Sequence, residues 1–181
     1  MSVAFILLVV LGFAILIISL VGMLMPSSWM FEKAELIHAS PAQLFPFINS
    51  LEKWSEWTVW AQTKIVSELD FEYKDKKEGI GAVQIWKSNK MNGVLTITQS
   101  DLDKEVKYQF DISEGNLNLL GTIVLDQADS EYTQIAWRCK LKKLNDFNPI
   151  RRFQAYFLKN YFDTTIEGSI LSLKEMFECQ Q

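Results

Sequence analysis

The chain has 181 residues, with 18 Lys and Arg against 22 Asp and Glu, and a formal net charge of −4. Proteins that bind nucleic acid regardless of its sequence need a basic surface, so this balance argues against a nucleic-acid partner. Two cysteines and one histidine do not provide a disulfide framework, a zinc site or a Ser-His-Asp triad. We therefore predict unpaired thiols, no metal and no cofactor.

The first 31 residues contain no Asp, Glu, Lys or Arg. From Val3 to Met25 only Gly12, Ser19 and Gly22 interrupt an apolar run that would span about 34 Å as a helix. That length crosses the hydrocarbon core of a bilayer. A cleaved signal peptide would have a positive start, a shorter apolar stretch and a small-residue cleavage site, and all three are missing. We predict one transmembrane helix.

The apolar run divides the chain into three parts. Residues 1–26 are the predicted anchor, residues 27–30 a linker, and residues 31–181 one domain of ordinary size. The few cations near the anchor are matched by nearby glutamates, so no strong signal keeps the domain in the cytoplasm. We expect it on the outer side.

The domain begins with a predicted strand over residues 31–39. Ser40-Pro41-Ala42-Gln43 follows, with Ser as the helix cap, Pro at the first helical position and Gln three residues after the cap. Apolar residues at helical spacing then predict a short helix to about residue 51.

Beyond Gly79 the apolar residues recur with a period of two, as in half-buried strands. Short polar turns separate these segments, so we expect an antiparallel meander with one dry face. The predicted strands are 82–88, 94–100, 105–113, 117–125 and 133–142.

The chain ends in a predicted helix, opened by Asn148-Pro149 and running to about Glu178. Its many apolar residues cover more than a narrow stripe, so it must bury a broad face, and the dry face of the sheet is the available partner. Gly168, in mid-helix, indicates a close approach, a bend or a small gap.

Several short motifs punctuate this order of elements. They are Ile37-His38-Ala39-Ser40-Pro41 followed by Phe45, the segment LEKWSEWTVW at 51–60, Gly79-Ile80-Gly81-Ala82 leading to Trp86, and the pair Thr133 and Trp137. With them, residues 31–178 resemble the polyketide cyclase/dehydrase-like branch of the START and birch-pollen-allergen (SRPBCC) superfamily. The resemblance implies an α+β helix-grip fold after the transmembrane helix: a curved antiparallel sheet wrapped around a long C-terminal helix. It also implies a cavity between them for a lipid, sterol, polyketide or aromatic compound.

Residues on the dry faces are candidates to line that cavity, although a dry face is more often explained by core packing alone. No catalytic residue is predicted, because His38 stands alone and no carboxylate pair is visible. Arg151 and Arg152 could meet an anion such as a phosphate headgroup or lie in solvent. The predicted ligand-binding residues are Trp60, Trp86, Tyr108, Phe110, Ile123, Trp137, Phe157 and Tyr161.

We therefore expect a single-pass protein of the bacterial inner (plasma) membrane that binds a hydrophobic small molecule or lipid without transforming it. Two alternatives stay open. One is a cyclase, dehydratase or hydrolase acting on an apolar substrate, and the other is a membrane-tethered module that binds another protein, whose identity the sequence does not indicate.

Overall fold

The computed structural model describes residues 2–62, 70–88, 92–113, 116–146 and 148–179. The helices are α1 (Val3–Leu24), α2 (Pro41–Asn49), α3 (Trp54–Trp57), α4 (Val59–Gln62) and α5 (Pro149–Glu178). The strands are β1 (Met30–Ile37), β2 (Asp70–Tyr73), β3 (Val83–Lys87), β4 (Gly93–Asp101), β5 (Glu105–Ile112), β6 (Leu117–Gln127) and β7 (Thr133–Leu141). All predicted strands are present, and β2 is one that the sequence analysis missed because its four residues show too little alternation.

The seven strands form one antiparallel sheet in the order β1-β7-β6-β5-β4-β3-β2. Each strand from β2 to β7 pairs with its neighbour in sequence, and β1 adds to the far edge beside β7. Inward residues are buried and alternate with outward residues that are more exposed, most regularly along β5 and β7. The predicted meander with one dry face is confirmed.

Helix α5 covers the inner face of the sheet. Its cap is Asn148, whose Oδ1 accepts a hydrogen bond from the backbone N–H of Ile150 at 3.0 Å. The helix packs against β1, β7, α3 and α4. The buried apolar stripe that faces them is made of Ala155, Phe162, Ile166, Ile170 and Leu173.

Edge strand β1 is joined to α5 by charged side chains on its inner side. Lys33 Nζ lies 2.8 Å from Glu167 Oε2 and 3.4 Å from Asp163 Oδ1, and Lys174 Nζ lies 3.3 Å from Glu35 Oε2. The hydrogen bond to Glu167 is the main cause that raises the pKa of Lys33. Pairs this close to solvent contribute only about 0–1 kcal/mol each, so we infer that they align the strand with the helix more than they stabilise the fold.

Helix α1 meets the domain at the first turn of α5. Gly22 is the one buried residue of α1, and a methyl group there would lie 2.5 Å from Cβ of Pro149. Nη1 of Arg152 donates to the carbonyl oxygens of Met23 and Met25, both at 2.8 Å. A cation at the C-terminal end of a helix is favourable because the last carbonyls carry partial negative charge.

The remainder of α1 is exposed, and it is long and apolar enough to cross a membrane, a property that signal sequences share. The segment that follows α1 is hydrogen-bonded to the end of β7, to the chain after it and to α5. The backbone N–H groups of Leu144 and Leu141 donate to the carbonyls of Ser27 at 2.8 Å and Trp29 at 2.9 Å. The indole N–H of Trp29 donates to the carbonyl of Ala155 at 2.8 Å.

Two glycines leave room for large rings on the inner face of the sheet. Gly121 on β6 is directly opposite Tyr108 on β5, and a methyl group at Gly121 would lie 1.9 Å from Cζ of that tyrosine. A methyl group at Gly93 would lie 2.5 Å from Cε2 of Phe110. The rings of Tyr108 and Phe110 therefore lie directly over the backbone of these glycines, where any larger residue would collide with them.

We expect Gly121→Ala to lower the free energy of unfolding by about 1–3 kcal/mol, the usual cost of overpacking a core. The measurement is urea unfolding of the full chain in mild detergent, followed by tryptophan fluorescence. Leu120→Ala is the control, because this neighbour points to the exposed outer face and should change stability by no more than about 0.5 kcal/mol. Equal stability of Gly121→Ala and the unaltered protein would contradict the packing described.

Candidate functional site

The predicted ligand-binding residues divide into three groups by exposure. Six of them face the interior and are at most 5% exposed: Trp60, Trp86, Tyr108, Phe110, Ile123 and Trp137. Tyr161 is half-buried on α5. Phe157 is 66% exposed and lies outside the interior altogether.

The segment EKWSEWTVW forms α3 and α4, and its three tryptophans point into the core. The indole N–H of Trp54 donates to the carbonyl of Ile48 at 2.9 Å, and that of Trp57 donates to the carbonyl of Phe47 at 3.2 Å. These bonds use the last carbonyls of α2 and hold α3 against it. Both tryptophans therefore act first as structural residues.

Helix α4 is held against α5, and this contact positions Trp60. The backbone N–H of Val59 donates to Oγ of Ser169 at 2.9 Å. A methyl group at Gly168 would lie 2.9 Å from Cγ2 of Val59. The close approach predicted at Gly168 is thus confirmed, and its partner is α4.

Four aromatic residues fill one half of the interior, and we call Trp54, Trp57, Tyr108 and Trp137 the hydrogen-bonded cluster. Their ring centroids lie 5.3–6.3 Å apart. The indole N–H of Trp137 donates to the hydroxyl of Tyr108 at 2.9 Å. Burial raises the pKa of this hydroxyl well above its usual value. The three indole N–H groups of this cluster all have acceptors within the protein, so none of them is left for a ligand.

The other half of the interior is bounded by a closed circuit of rings, Trp60, Trp86, Phe110 and Phe162, which we call the aromatic wall. Successive centroids lie 5.7, 4.6, 6.1 and 6.3 Å apart around the circuit. Such spacings and tilts are those preferred by interacting aromatic rings. Two partly exposed rings extend the wall: Phe71 beside Trp86 at 5.4 Å and Tyr161 beside Phe162 at 5.3 Å.

Hydrogen bonding distinguishes the two tryptophans of the wall. Trp86 donates its indole N–H to Oε1 of Gln84 at 2.7 Å, and Gln84 donates in turn to the hydroxyl of Tyr73 at 3.1 Å. For Trp60, in contrast, the described residues 2–60, 70–88, 92–113, 116–146 and 148–179 show no acceptor for the indole N–H, and this atom is not among the fully buried polar atoms that lack a partner. Because an indole N–H at an apolar surface usually finds a partner, this donor is the polar group of the wall that a ligand could bind.

The described interior carries no charge at neutral pH. Its fully buried polar side chains, in the described part of the chain, are Ser, Thr and Gln. Burial raises the pKa of the Cys139 thiol to about 12 and also raises the pKa of Tyr161. His38 lies at the end of β1, 3.7 Å from Oε2 of Glu131 and outside the aromatic groups. Both thiols are free, as predicted.

The predicted residues Arg151 and Arg152 are both bonded within the chain. Arg151 pairs with Asp146 and donates to the carbonyl of Asn116, while Arg152 holds the end of α1. The carboxylate of Asp146 thus offsets the unfavourable position of Arg151 at the positive end of the α5 dipole.

Comparison with known proteins adds information on the fold. No protein-family model matches this chain, and no curated protein sequence matches it. Several solved structures are similar. A solution structure from Thermobifida fusca is 10% identical over 82% of this chain and 92% of that chain, with a TM-score of 0.61. The chain has a helix-grip fold.

Two further solved structures are similar at the same level. Major latex-like protein 151 from Panax ginseng is 11% identical over 83% of this chain and 98% of that chain, with a TM-score of 0.56. Ara h 8.0201 is 20% identical over 80% and 99%, with a TM-score of 0.52. The resemblance seen in the sequence motifs is therefore confirmed for the helix-grip fold.

The sequence analysis did not predict two residues of this region as ligand-binding: Phe162, which is part of the aromatic wall, and Phe71, which lies beside it. Phe162 belongs to the buried stripe of α5. It lies seven residues after Ala155 and four before Ile166, so its helical spacing could have indicated that it faces the interior. Phe71 lies on the unpredicted strand β2, and four residues gave no comparable signal.

We expect Cys139 to make the protein less stable at alkaline pH. Its thiol has a folded-state pKa of about 12 against an ordinary 9.0, so its contribution is fully present below pH 9 and is lost as pH rises towards 12. The loss reaches about 1.4 kcal/mol per pH unit, because the unfolded thiol ionises first. Urea unfolding of the full chain and of Cys139→Ala, measured between pH 8 and 10.5, should give a steeper decline for the unaltered chain. Parallel curves would contradict this prediction.

Proposed function

We propose that this protein is a membrane-anchored binding protein for a hydrophobic small molecule or lipid, held against the aromatic wall between the sheet and α5. The observation that carries the proposal is the wall itself, with the indole N–H of Trp60 lacking an acceptor in the described chain. Binding sites for small apolar molecules usually combine an apolar lining with a few polar groups that orient the ligand.

The hydrogen-bonded cluster occupies its half of the interior with rings in mutual contact. The ligand would therefore lie on the other side of the wall, where Phe71 and Tyr161 are only partly buried. The described residues nearest to it are Trp60 on α4, Phe71 on β2 and Tyr161 on α5. Of the predicted site residues, Trp60, Trp86, Phe110 and Tyr161 would touch the ligand, while Tyr108, Ile123 and Trp137 would support the wall from behind.

The chemistry of the wall favours an apolar ligand with one hydrogen-bond acceptor, such as a carbonyl, ester or hydroxyl oxygen for the N–H of Trp60. Each methylene buried would contribute about 0.8 kcal/mol before the entropic cost of association. The ionisable groups of the described interior, Tyr108 and Cys139, are held neutral by burial. Such an interior favours binding over acid–base catalysis, which needs groups that titrate near the working pH.

The location of the wall also favours a ligand from the membrane. Phe110 and Trp86 lie within two residues of the ends of β5 and β3. In an antiparallel sheet these ends lie on the same side as the end of β7, after which α5 begins and meets α1. A lipid leaving a bilayer crossed by α1 would thus meet the wall at the near end of the domain.

The test is native mass spectrometry of the full chain, purified in detergent, followed by extraction and identification of the apolar molecules that copurify. We expect a stoichiometric adduct. Trp60→Phe should weaken binding of the extracted molecule by roughly 5–30-fold, the loss expected for one hydrogen bond of about 1–2 kcal/mol.

Trp57→Phe is the matched control, because it removes an equally buried indole N–H whose acceptor is the carbonyl of Phe47. It should lower stability and leave the affinity unchanged. A bare protein mass after purification from several lipid mixtures would refute the proposal. Equal losses of affinity in the two variants would show that the N–H of Trp60 does not orient the ligand.

A further inference from the structure

The outer face of α5 changes in character along its length. In its first three turns the exposed residues are Ile150, Gln154, Tyr156 and Phe157, and three of these four are apolar or aromatic. From residue 158 to 178 they are Asn160, Thr164, Glu167, Leu171, Glu175 and Glu178, of which five are polar. A helix in uniform contact with water would not be expected to expose its large apolar side chains at one end only.

The apolar end of this face is continuous with α1. Phe153 lies three residues after Ile150 and four before Phe157, so the three share one side of the helix. A methyl group at Gly22 of α1 would lie 3.0 Å from Cε2 of Phe153. The exposed apolar residues therefore begin where α1 ends, and α1 is the segment that we propose to cross the bilayer.

The junction between α1 and α5 is held by several contacts. Arg152 binds the carbonyls of Met23 and Met25, and Trp29 binds the carbonyl of Ala155. With these bonds in place the first turns of α5 stay beside the last turn of α1. Any surface that α1 enters is then close to Tyr156 and Phe157, whose aromatic rings are of the type enriched at membrane interfaces.

Charged residues also differ between the two ends of the domain. Residues 142–152 contain Lys142, Lys143, Arg151 and Arg152 against one acid, Asp146. The loop that begins this stretch is bonded to Ser27, directly after α1. At the opposite end of the sheet, the loops and strand ends carry mainly acids, among them Asp101, Asp103, Asp126, Asp129 and Glu131.

We propose that the outer face of the first three turns of α5, together with residues 142–146, rests on the surface of an anionic lipid bilayer. The inference rests on the proposed membrane anchoring by α1 and adds a second, peripheral contact. Ile150, Tyr156 and Phe157 enter the interface, and Lys142 and Lys143 lie among the headgroups. An interfacial helix buries its apolar face in this way while its cations bind anionic lipid.

The experiment measures the depth of single fluorophores on the full chain in vesicles of phosphatidylcholine and phosphatidylglycerol. Cys179→Ser removes the exposed thiol, and Cys139 stays unlabelled because it is buried with a pKa of about 12. A nitrobenzoxadiazole label is attached at Phe157→Cys, Leu171→Cys or Val10→Cys. Leu171 is the matched control: it is 41% exposed on the same side of α5 and about 21 Å further along the helix.

Lipids with a doxyl group high on the acyl chain should quench the label at 157 at least about threefold more than the label at 171, because an interfacial helix lies roughly 5–10 Å into the headgroup boundary. Replacing Lys142 and Lys143 together by Glu should reduce quenching at 157, whereas Lys104→Glu, at the opposite end, should not. The reduction caused by the double replacement should vanish in vesicles of phosphatidylcholine alone.

Equal quenching at 157 and 171, with the label at position 10 quenched by deep doxyl lipids, would overturn the second contact and leave the anchor intact. A label at position 10 that stays unquenched would instead refute the anchoring itself. Crosslinking between copies through position 157, without quenching by lipid, would assign this face to a second copy of the chain and overturn the inference. Unchanged quenching in the Lys-to-Glu variant would refute the role of anionic lipid.

Discussion

Packing of indole rings between the sheet and α5 is the constraint on which the rest of the structure depends. Five of the six tryptophans lie there. Gly121 and Gly93 make room on the sheet for Tyr108 and Phe110, whose rings contact tryptophans, and Gly168 lets α4 approach α5. The short helices α3 and α4 are in turn placed by the hydrogen bonds of their own tryptophans and by Ser169. The positions of α3 and α4 are therefore set by how these large side chains pack and bond.

This arrangement separates the residues that pack the core from those that we propose to bind a ligand. The three indole N–H donors of the hydrogen-bonded cluster all have acceptors, and the cluster behaves as core. The aromatic wall shares its contacts but retains, at Trp60, a donor without an acceptor in the described chain. The wall, the junction of α1 with α5 and the basic stretch at 142–152 all lie towards one end of the sheet. The ligand binding and the membrane contact that we propose therefore belong to the same end of the domain.

Much of the fold followed from periodicity. Alternation along β3 to β7 predicted the meander because a half-buried strand must alternate, and the caps at Ser40 and Asn148 predicted where α2 and α5 begin. Periodicity served less well for the site. It marked Phe157 and Phe162 as equally apolar, yet Phe162 belongs to the buried stripe and Phe157 is exposed. A broad apolar helix can face two environments, and composition does not tell which residues face which.

The sequence by itself determined the class of fold, the order of its elements, the uncharged apolar helix at the start and the residues that would be buried on the sheet. These are consequences of local patterns and of the free energy of burying apolar surface. Only the tertiary structure decided which tryptophans find hydrogen-bond partners, that α4 lies on Gly168, that Arg152 binds the end of α1, and that the exposed aromatics of α5 continue from that helix. Each of these depends on groups far apart in the chain, and no local pattern records such distances.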